Sequence, residues 1–504
     1  MAVTIYAAID VGSYDVQMKI YEISAKNKIV VVDHLRYVLE IGKDTYTSGK
    51  VEADTINELC HVLKNFSDTM SMYRVSAYDA YSTSGIREAK NCQIILDRIK
   101  VSTGISVQLI SNAEQRFIAL KGLLFKNEKF EELTSEGTAV VDVGSGSIQI
   151  SIYEKGGLIT TRNLKLGTLR IRELLYSLSN DRDHFDYLIN ELIDNDIDAF
   201  KRMHLNDAPI NNIIAFGDDI VQFSRKGSEN RLKEEMNRKQ FMERFKSFEA
   251  KSPQQISDKL LISEEKASLI IPCVQVYKKV FEETQAQCIW IPNIDLCDGM
   301  AAHYCIRNKL LTVNHDFDKD VILSVTNMAK RYMTDMDYVE ALQKNVNTIF
   351  RETKKLHGLQ RRDEFLLQIA TILSDIGKYV SSVDSSECAY DIITHSEIIG
   401  LSDEEREIVA RIVKNNAINI FETAEDDNDL LIAKLTAILK LATAIDRSHK
   451  NKIKDISITL KDNKMYIKTK TKDDLTLEKG LFDRRAKYFE DVYGVRPIIK
   501  QSGR

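Results

Sequence analysis

Short apolar runs that end in a turn recur along the first three hundred residues: IYAAID (5–10), AVVDVG (139–144) and NNIIAFG (211–217) are each of strand length and close on Asp or Gly. Between them lie longer segments with apolar residues at helical spacing, INELCHVLKNFSDTM (56–70) among them. Strands alternating with helices predict an α/β architecture from residue 1 to about 305. From about 319 to 450 the period changes. DEFLLQIATILSDIGKYV (363–380) and DEEREIVARIVKNN (403–416) read as amphipathic helices with few strand signals between them, which makes a separate all-α region. The tail returns to alternation in DISITLKDNKMYIKTK (455–470), where KDN supplies a hairpin turn, and a helix follows around LFDRRAKYFEDVYG (481–494), giving a small α+β cap. The expected division is a first lobe at 1–125, a second lobe at 126–305, a helical domain at 306–455 and the cap at 456–504.

Composition narrows the classes. With 504 residues, 43% of them hydrophobic, the chain can bury a substantial core in several domains. Lys plus Arg (70) nearly balances Asp plus Glu (75), so bulk charge draws in neither nucleic acid nor membrane, and any polyanion site has to be built locally. No apolar run reaches the roughly 20 residues needed to span a bilayer, and MAVTIYAAID lacks the layout of a secretory signal, so a cytoplasmic protein is expected. The seven cysteines are scattered without a C-x-x-C pair and read as reduced core residues.

One internal repeat stands out. AIDVGS (8–13) and VVDVGS (140–145) share an apolar strand, an aspartate at its end and a glycine turn, which points to two related halves facing each other. After the second copy, Gly144, Ser145, Gly146 and Ser147 form a small-residue loop whose backbone N–H groups can converge on an anion. A dinucleotide fingerprint or a P-loop needs a helix straight after its glycines. Here Ile148, Ile150 and Ile152 alternate with Gln149, Ser151 and Tyr153, so the loop turns a β-hairpin, similar to the phosphate loops of actin-like and sugar-kinase-like proteins. Asp10 and Asp142 stand beside such loops, where a carboxylate can hold Mg²⁺ directly or through water. Read alone, each loop is also an ordinary strand corner with an aspartate fixing its turn.

Several segments together carry a resemblance. YSTSGIREAKN (81–91), SNAEQRFIALKGLL (111–124), VVDVGSGSIQISIY (140–153) and NLKLGTLRIREL (163–174) occur in the order and spacing of the Ppx/GppA family of exopolyphosphatases and guanosine pentaphosphate phosphohydrolases. AYDIITHSEIIGLSDEE (389–405) and AILKLATAIDRSHKNKI (437–453) resemble that family's HD-type helical domain, so the resemblance covers nearly the whole chain. It implies two ribonuclease-H-like lobes with a cleft between them, then a helical domain. The implied activity is Mg²⁺-dependent release of terminal phosphate from inorganic polyphosphate. In this carry-over Glu114 is the general base that activates water, Arg87 contacts phosphate through its planar guanidinium, and Gly12, Ser13 and residues 144–147 hold the phosphates, while Asp10 and Asp142 organise the metal. The resemblance also implies a homodimer formed through the helical domain.

The departures from that pattern matter as much. Tyr14 and Asp15 stand where the family has Asn-Ser, setting bulk and negative charge on the path of a polyanion unless a cation screens Asp15. Gln149 replaces a glutamate and keeps its size without its charge, Asp218 and Asp219 follow Gly217 in the third turn, and Cys297-Asp298-Gly299 replaces Arg-Glu-Gly. In the helical domain Glu340, Ser374, residues 385–388 and Asn415-Asn416 occupy positions expected of metal-binding histidines. With Asp375 and Asp446 left, this domain reads as a scaffold without a hydrolytic metal. The basic clusters RETKKLHGLQRR (351–362) and KTKTK (468–472) are candidate polyanion tracks or simply solvated faces. Two rivals follow: a guanosine pentaphosphate 5′-phosphohydrolase, and a non-catalytic polyphosphate- or alarmone-binding regulator, favoured by the acidic departures and opposed by Glu114 with Arg87. A sugar or acetate kinase would need an adenine-supporting glycine turn, for which FGDDI is poorly suited.

Overall fold

The run TIYAAIDV forms β1 (Thr4–Val11), whose side chains are buried on both faces over most of its length. Strand β2 (Asp15–Ser24) folds back on it antiparallel, and β3 (Lys28–Val38) pairs antiparallel with β2. After helices α1 (Ile41–Ser48) and α2 (Ala53–Met72), β4 (Ala77–Ser82) joins β1 in parallel. Helices α3 (Ser84–Arg87) and α4 (Cys92–Thr103) then lead to β5 (Gln108–Leu109), parallel to β4, so the sheet order is β3-β2-β1-β4-β5. The computed structural model describes residues 3–24, 28–178, 185–204, 209–226, 231–249, 251–311, 315–417 and 425–501. They divide into two units, Met1–Asp320 and Val321–Arg504.

After α5 (Asn112–Gly122) and α6 (Asn127–Ser135) the same plan starts again. Strands β6 (Thr138–Val143), β7 (Ile148–Glu154) and β8 (Gly157–Leu164) make an antiparallel meander, and α7 (Thr168–Leu178) and α8 (Phe185–His204) lead to β9 (Asn212–Phe216), parallel to β6. Next come α9 (Asp218–Ser224), the short ladder β10 (Arg225–Lys226) and β11 (Arg231–Leu232), β12 (Glu235–Asn237), α10 (Arg238–Lys246), α11 (Pro253–Leu260) and α12 (Glu264–Glu283). Strand β13 (Cys288–Trp290) closes the lobe parallel to β9. The order β8-β7-β6-β9-β13 repeats the first sheet strand for strand, with β12 added at its edge. The AIDVGS and VVDVGS repeat therefore marks two lobes of one topology.

The alternation in β7 does not separate a wet face from a dry one. Ile148, Ile150 and Ile152 enter the second lobe's core, yet Gln149, Ser151 and Tyr153 are equally buried. Helices α5 and α6 cover their side: Arg116 Nε donates to Gln149 Oε1 at 3.1 Å, and Tyr153 meets the edge of Phe130 at 5.5 Å. Helix α13 (Leu296–Arg307), at the end of the segment expected to form the second lobe, packs on the first. Its Leu296, Cys297, Met300 and Ala301 share a core with Tyr6, Ala8, Ile118 and Ala119. Gly299 permits the contact, because a Cβ there would lie 2.3 Å from Ile118 O.

Gly167 holds the loop 144–147 in a similar way. A Cβ on Gly167 would sit 2.2 Å from Ser145 O and 2.3 Å from the backbone of Gly146. Gly167→Ala is expected to destabilise the protein by about 1–3 kcal/mol through overpacking, read as a fall in the urea midpoint with an unchanged slope.

In Val321–Arg504, helices Met336–Glu352, Arg361–Ile372, Ser385–Thr394, Asp403–Ala417 and Asp427–Ile445 pack on one another. The segment DEFLLQIATILSDIGKYV is not one helix: it stops at Ile372 and resumes as a single turn, Ile376–Tyr379. At Gly377 the backbone of Ser385 comes so close that a Cβ would lie 1.9 Å from its carbonyl oxygen. The tail forms the expected hairpin, Ile456–Lys461 with Lys464–Thr469, turned by Asp462 and Asn463 at φ 53 and 52. Helix Thr476–Tyr493 then crosses to strand Arg496–Gln501, parallel to the hairpin's second strand. No helix among the described residues is long and apolar enough to cross a membrane.

Candidate active site

The two glycine turns match atom for atom in their closing bond. Gly12 N donates to Asp15 O at 2.9 Å, and Gly144 N to Ser147 O at 3.0 Å. Opposite each aspartate in the ladder stands a glutamine, Gln17 across from Asp10 and Gln149 across from Asp142. The repeat therefore runs beyond AIDVGS and VVDVGS, and Gln17 is legible in DVGSYDVQ beside DVGSGSIQ. Each loop is held by later backbone: Gly42 N bonds Ser13 O at 2.7 Å, while Thr168 N and Leu169 N bond Gly144 O and Ser145 O at 3.0 Å each.

Between the lobes the loops open onto a cavity of about 360 Å³. Asp10, Gly12, Ser13, Asp142 and residues 144–147 all line it. Ser13 Oγ, Ser84 Oγ and Tyr46 OH form a hydrogen-bonded triangle of 2.8, 3.0 and 3.1 Å sides. Gly146 packs against it with room only for a hydrogen, since a Cβ would lie 2.0 Å from Ser84 Oγ. Ion pairs Arg170–Glu88 (2.9 Å) and Arg172–Glu40 (2.8 Å) join the lobes.

Glu114, Arg87 and Gln149 do not line this cavity. Ser111 is the N-cap of α5, and Glu114 closes the capping box: its Oε2 accepts from Ser111 N at 2.8 Å while Glu114 N donates to Ser111 Oγ at 3.2 Å. The neighbouring side chain, Gln115, lines the cleft instead. The Ser-x-x-Glu spacing of a capping box is present in SNAE. Arg87 ties α3 to the start of α5, with Nη2 on Asn112 Oδ1 at 2.5 Å and Nη1 on Ile110 O. Gln149 lies in a narrow pocket behind Asp142, bonded to Arg116. Glu114→Gln is accordingly expected to leave phosphate release within threefold of the native rate, and thermal stability nearly unchanged, because glutamine also closes a capping box.

The loop aspartates are poised unusually. Asp10 Oδ2 accepts from Gln17 Nε2 at 3.2 Å, while its buried Oδ1 has no hydrogen-bond partner among the described residues. Burial, and then the nearby Asp15, push its carboxyl up to about 7. Burial pushes Asp142 up to about 6, with Arg116 pulling the other way. An orphaned carboxylate oxygen on a polar cleft, with a second buried carboxylate from the other lobe lining the same cavity, fits Mg²⁺, which takes one or two carboxylates and completes its shell with water and phosphate.

The acidic departures are met by cations that sequence order hides. Arg36, on β3, donates from Nε to Asp15 Oδ2 at 2.7 Å and from Nη2 to Asp218 Oδ2 at 2.7 Å. Lys266, on α12, pairs with Asp218 at 2.7 Å and Asp219 at 2.6 Å. Against the cost of burial, Lys266 and then Arg36 hold the Asp218 carboxyl well below its usual range. Tyr14 turns its bulk into a small core with Leu169 and Leu269. Asp298 pairs with Lys19 at 3.0 Å and accepts from Tyr21 OH at 2.8 Å. In the helical unit Asp375 pairs with Lys378 at 2.6 Å, Asp446 accepts the backbone N–H groups of Lys450 and Asn451, and His449 stacks on Tyr338 at 3.7 Å. Among the described residues no group of three or more His, Cys, Asp or Glu side chains could hold a metal.

The profile of the Ppx/GppA phosphatase family matches residues 19–305, and that of Ppx/GppA phosphatase domain III matches residues 322–486. The chain belongs to the Ppx/GppA phosphatase family. Among curated relatives, exopolyphosphatase 1 of Mycobacterium tuberculosis is 20% identical over 146 residues, 28% of this chain and 40% of that protein. A bifunctional 3-dehydroquinate synthase/phosphatase of Fusobacterium nucleatum is 21% identical over 176 residues, 34% of this chain and 26% of that one. The matches thus span less than half of either relative. Among solved structures, an exopolyphosphatase from Cytophaga hutchinsonii superposes with a TM-score of 0.53 at 17% identity, over 61% of this chain and 98% of that one. The Aquifex aeolicus Ppx/GppA family member gives 0.50 at 20% identity, over 62% and 100%. These likenesses show the shared fold of the Ppx/GppA lobes.

Proposed function

We propose that this Ppx/GppA protein is an exopolyphosphatase-type phosphoanhydride hydrolase that takes inorganic polyphosphate into the interlobe cleft and releases its terminal phosphate. The observation that supports it is the meeting of two matched Asp-x-Gly-Ser turns in one polar cavity, each with its aspartate on the wall. Backbone N–H groups of the turns, with the Ser13 and Ser145 hydroxyls, bind phosphate oxygens. Mg²⁺ held by Asp10 and Asp142 would offset the charge of the phosphates and polarise the terminal P–O bond. Gln115 orients a water but cannot take its proton, so proton acceptance falls to the cleft carboxylates. Phosphoryl transfer through a loose transition state asks more of positioning and charge stabilisation than of a strong base. The same reading has the protein working in the cytoplasm as a homodimer.

A second reading, binding of polyphosphate or an alarmone without turnover, is favoured by one observation: α5 presents an amide to the cleft and keeps its carboxylate in a helix cap. One experiment separates them. Phosphate release from long-chain polyphosphate and from guanosine pentaphosphate, offered at equal concentration with Mg²⁺ and again after chelation, is measured beside equilibrium binding of both. Mg²⁺-dependent release from polyphosphate is the expected result. Binding without release establishes the second reading, and neither binding nor release defeats both.

A further inference from the structure

We infer that Arg36 and Lys266 form a phosphate subsite of the cleft, and that Asp218 is a resident counter-ion which a phosphate group of the substrate displaces. The inference rests on the polyphosphate reading and deepens it. A single oxygen, Asp218 Oδ2, bridges Arg36 Nη2 and Lys266 Nζ at 2.7 Å each. That is how a phosphate oxygen sits between a guanidinium and an ammonium. The two cations come from different lobes, Arg36 from β3 and Lys266 from α12, and both line the cleft with the glycine turns.

Asp218 differs from the other carboxylates of the network. Its side chain is 35% exposed, against 14% for Asp15 and 5% for Asp219. Asp219 is further fixed by Thr168 Oγ1 at 3.0 Å. If Asp218 leaves, Arg36 keeps Asp15 and Lys266 keeps Asp219, so neither cation is stranded and the fold loses little. Arg36 Nη1 donates to no protein group among the described residues, and the side chain is 31% exposed, which leaves hydrogen-bond capacity turned to solvent. A phosphate carrying more charge than a carboxylate, and reaching both cations at once, competes well for that place. Because the exchange trades one anion for another, it selects multiply charged chains over neutral or singly charged ligands.

The test is equilibrium binding of long-chain polyphosphate, with Mg²⁺, to the native chain and to Asp218→Asn, Arg36→Gln and Arg36→Lys. Removing the resident anion in Asp218→Asn is expected to tighten binding by about tenfold, whereas Arg36→Gln weakens it by about tenfold and Arg36→Lys recovers part of the loss. In turnover the effects fall on KM with kcat nearly constant. The Asp218→Asn and Arg36→Gln changes together should bind no better than Arg36→Gln alone, since the subsite then lacks its guanidinium. Unchanged or weaker binding by folded Asp218→Asn, with the native chain binding normally, overturns the subsite and leaves the functional reading standing. A native chain that binds no polyphosphate overturns the functional reading itself.

Discussion

Replacing Gln115 by glutamate is expected to raise phosphate release from polyphosphate by about 10²-fold at neutral pH, within the range that general-base catalysis supplies. Helix α5 turns by about 100° per residue, so adjacent side chains cannot serve the same face. Glu114 closes the capping box on Ser111, and Gln115 takes the cleft wall one turn before Ala119, which lines the same cavity. Amide and carboxylate have nearly the same volume, so the exchange tests proton acceptance with little disturbance of packing. The gain is expected at every pH where the new carboxyl is ionised, on top of the rising limb that ionisation of Asp10 and Asp142 gives both proteins. An unchanged or lower rate would show instead that the Gln115 N–H groups serve substrate directly.

Asp142→Asn is expected to have the opposite consequence, lowering phosphate release by roughly two orders of magnitude or more, as losses of a preorganised charge partner do. It also changes how stability responds to pH. Burial raises the native carboxyls of Asp142 and Asp10 to about 6 and about 7, above the ordinary aspartate value near 3.8. Between about pH 4 and pH 7 the native state therefore binds protons that the unfolded chain has released, and without metal the native chain loses stability as pH rises through that window. Asparagine cannot titrate. The melting temperature of Asp142→Asn should match the native one near pH 4, exceed it increasingly between about pH 4 and pH 6 and keep a constant excess above that, and Mg²⁺ should erase the difference by stabilising the native chain at pH 8. Parallel slopes for the two proteins would remove Asp142 from the buried, metal-ready role.

What could be read from sequence follows the range of the interactions involved. The glycine turns were legible because an aspartate, two small residues and the flanking alternation fix them within eight positions, 10–17 and 142–149. The change to helical period after residue 319 was legible for the same reason. For Glu114 the sequence is ambiguous, because Ser-x-x-Glu is at once the local signature of a helix cap and a plausible setting for a catalytic carboxylate; only the direction of the side chain separates them, and here it closes the cap. Asp15 and Asp218 read as obstacles to a polyanion because their partners lie far off in sequence. Arg36 reaches Asp218 across 182 positions. No local pattern encodes a pairing of that span, so the charge balance of the cleft emerged with the tertiary structure alone.

The seating of α13 on the first lobe sets a timetable for the growing chain. Tyr6, Ala8, Ile118 and Ala119 wait for Leu296, Cys297, Met300 and Ala301 to complete their core. Those residues are made about 180 positions after α5, an interval of roughly 10–40 s at ribosomal speeds of about 5–20 residues per second. Until then the nascent first lobe carries an open apolar face. The second lobe, whose cluster of buried residues runs from Ala139 to Ile291, can assemble before the first is finished. The earlier-made lobe of this pair is thus the later to mature, and a nascent chain stalled before residue 296 would be a client for whatever chaperone guards exposed sheet faces.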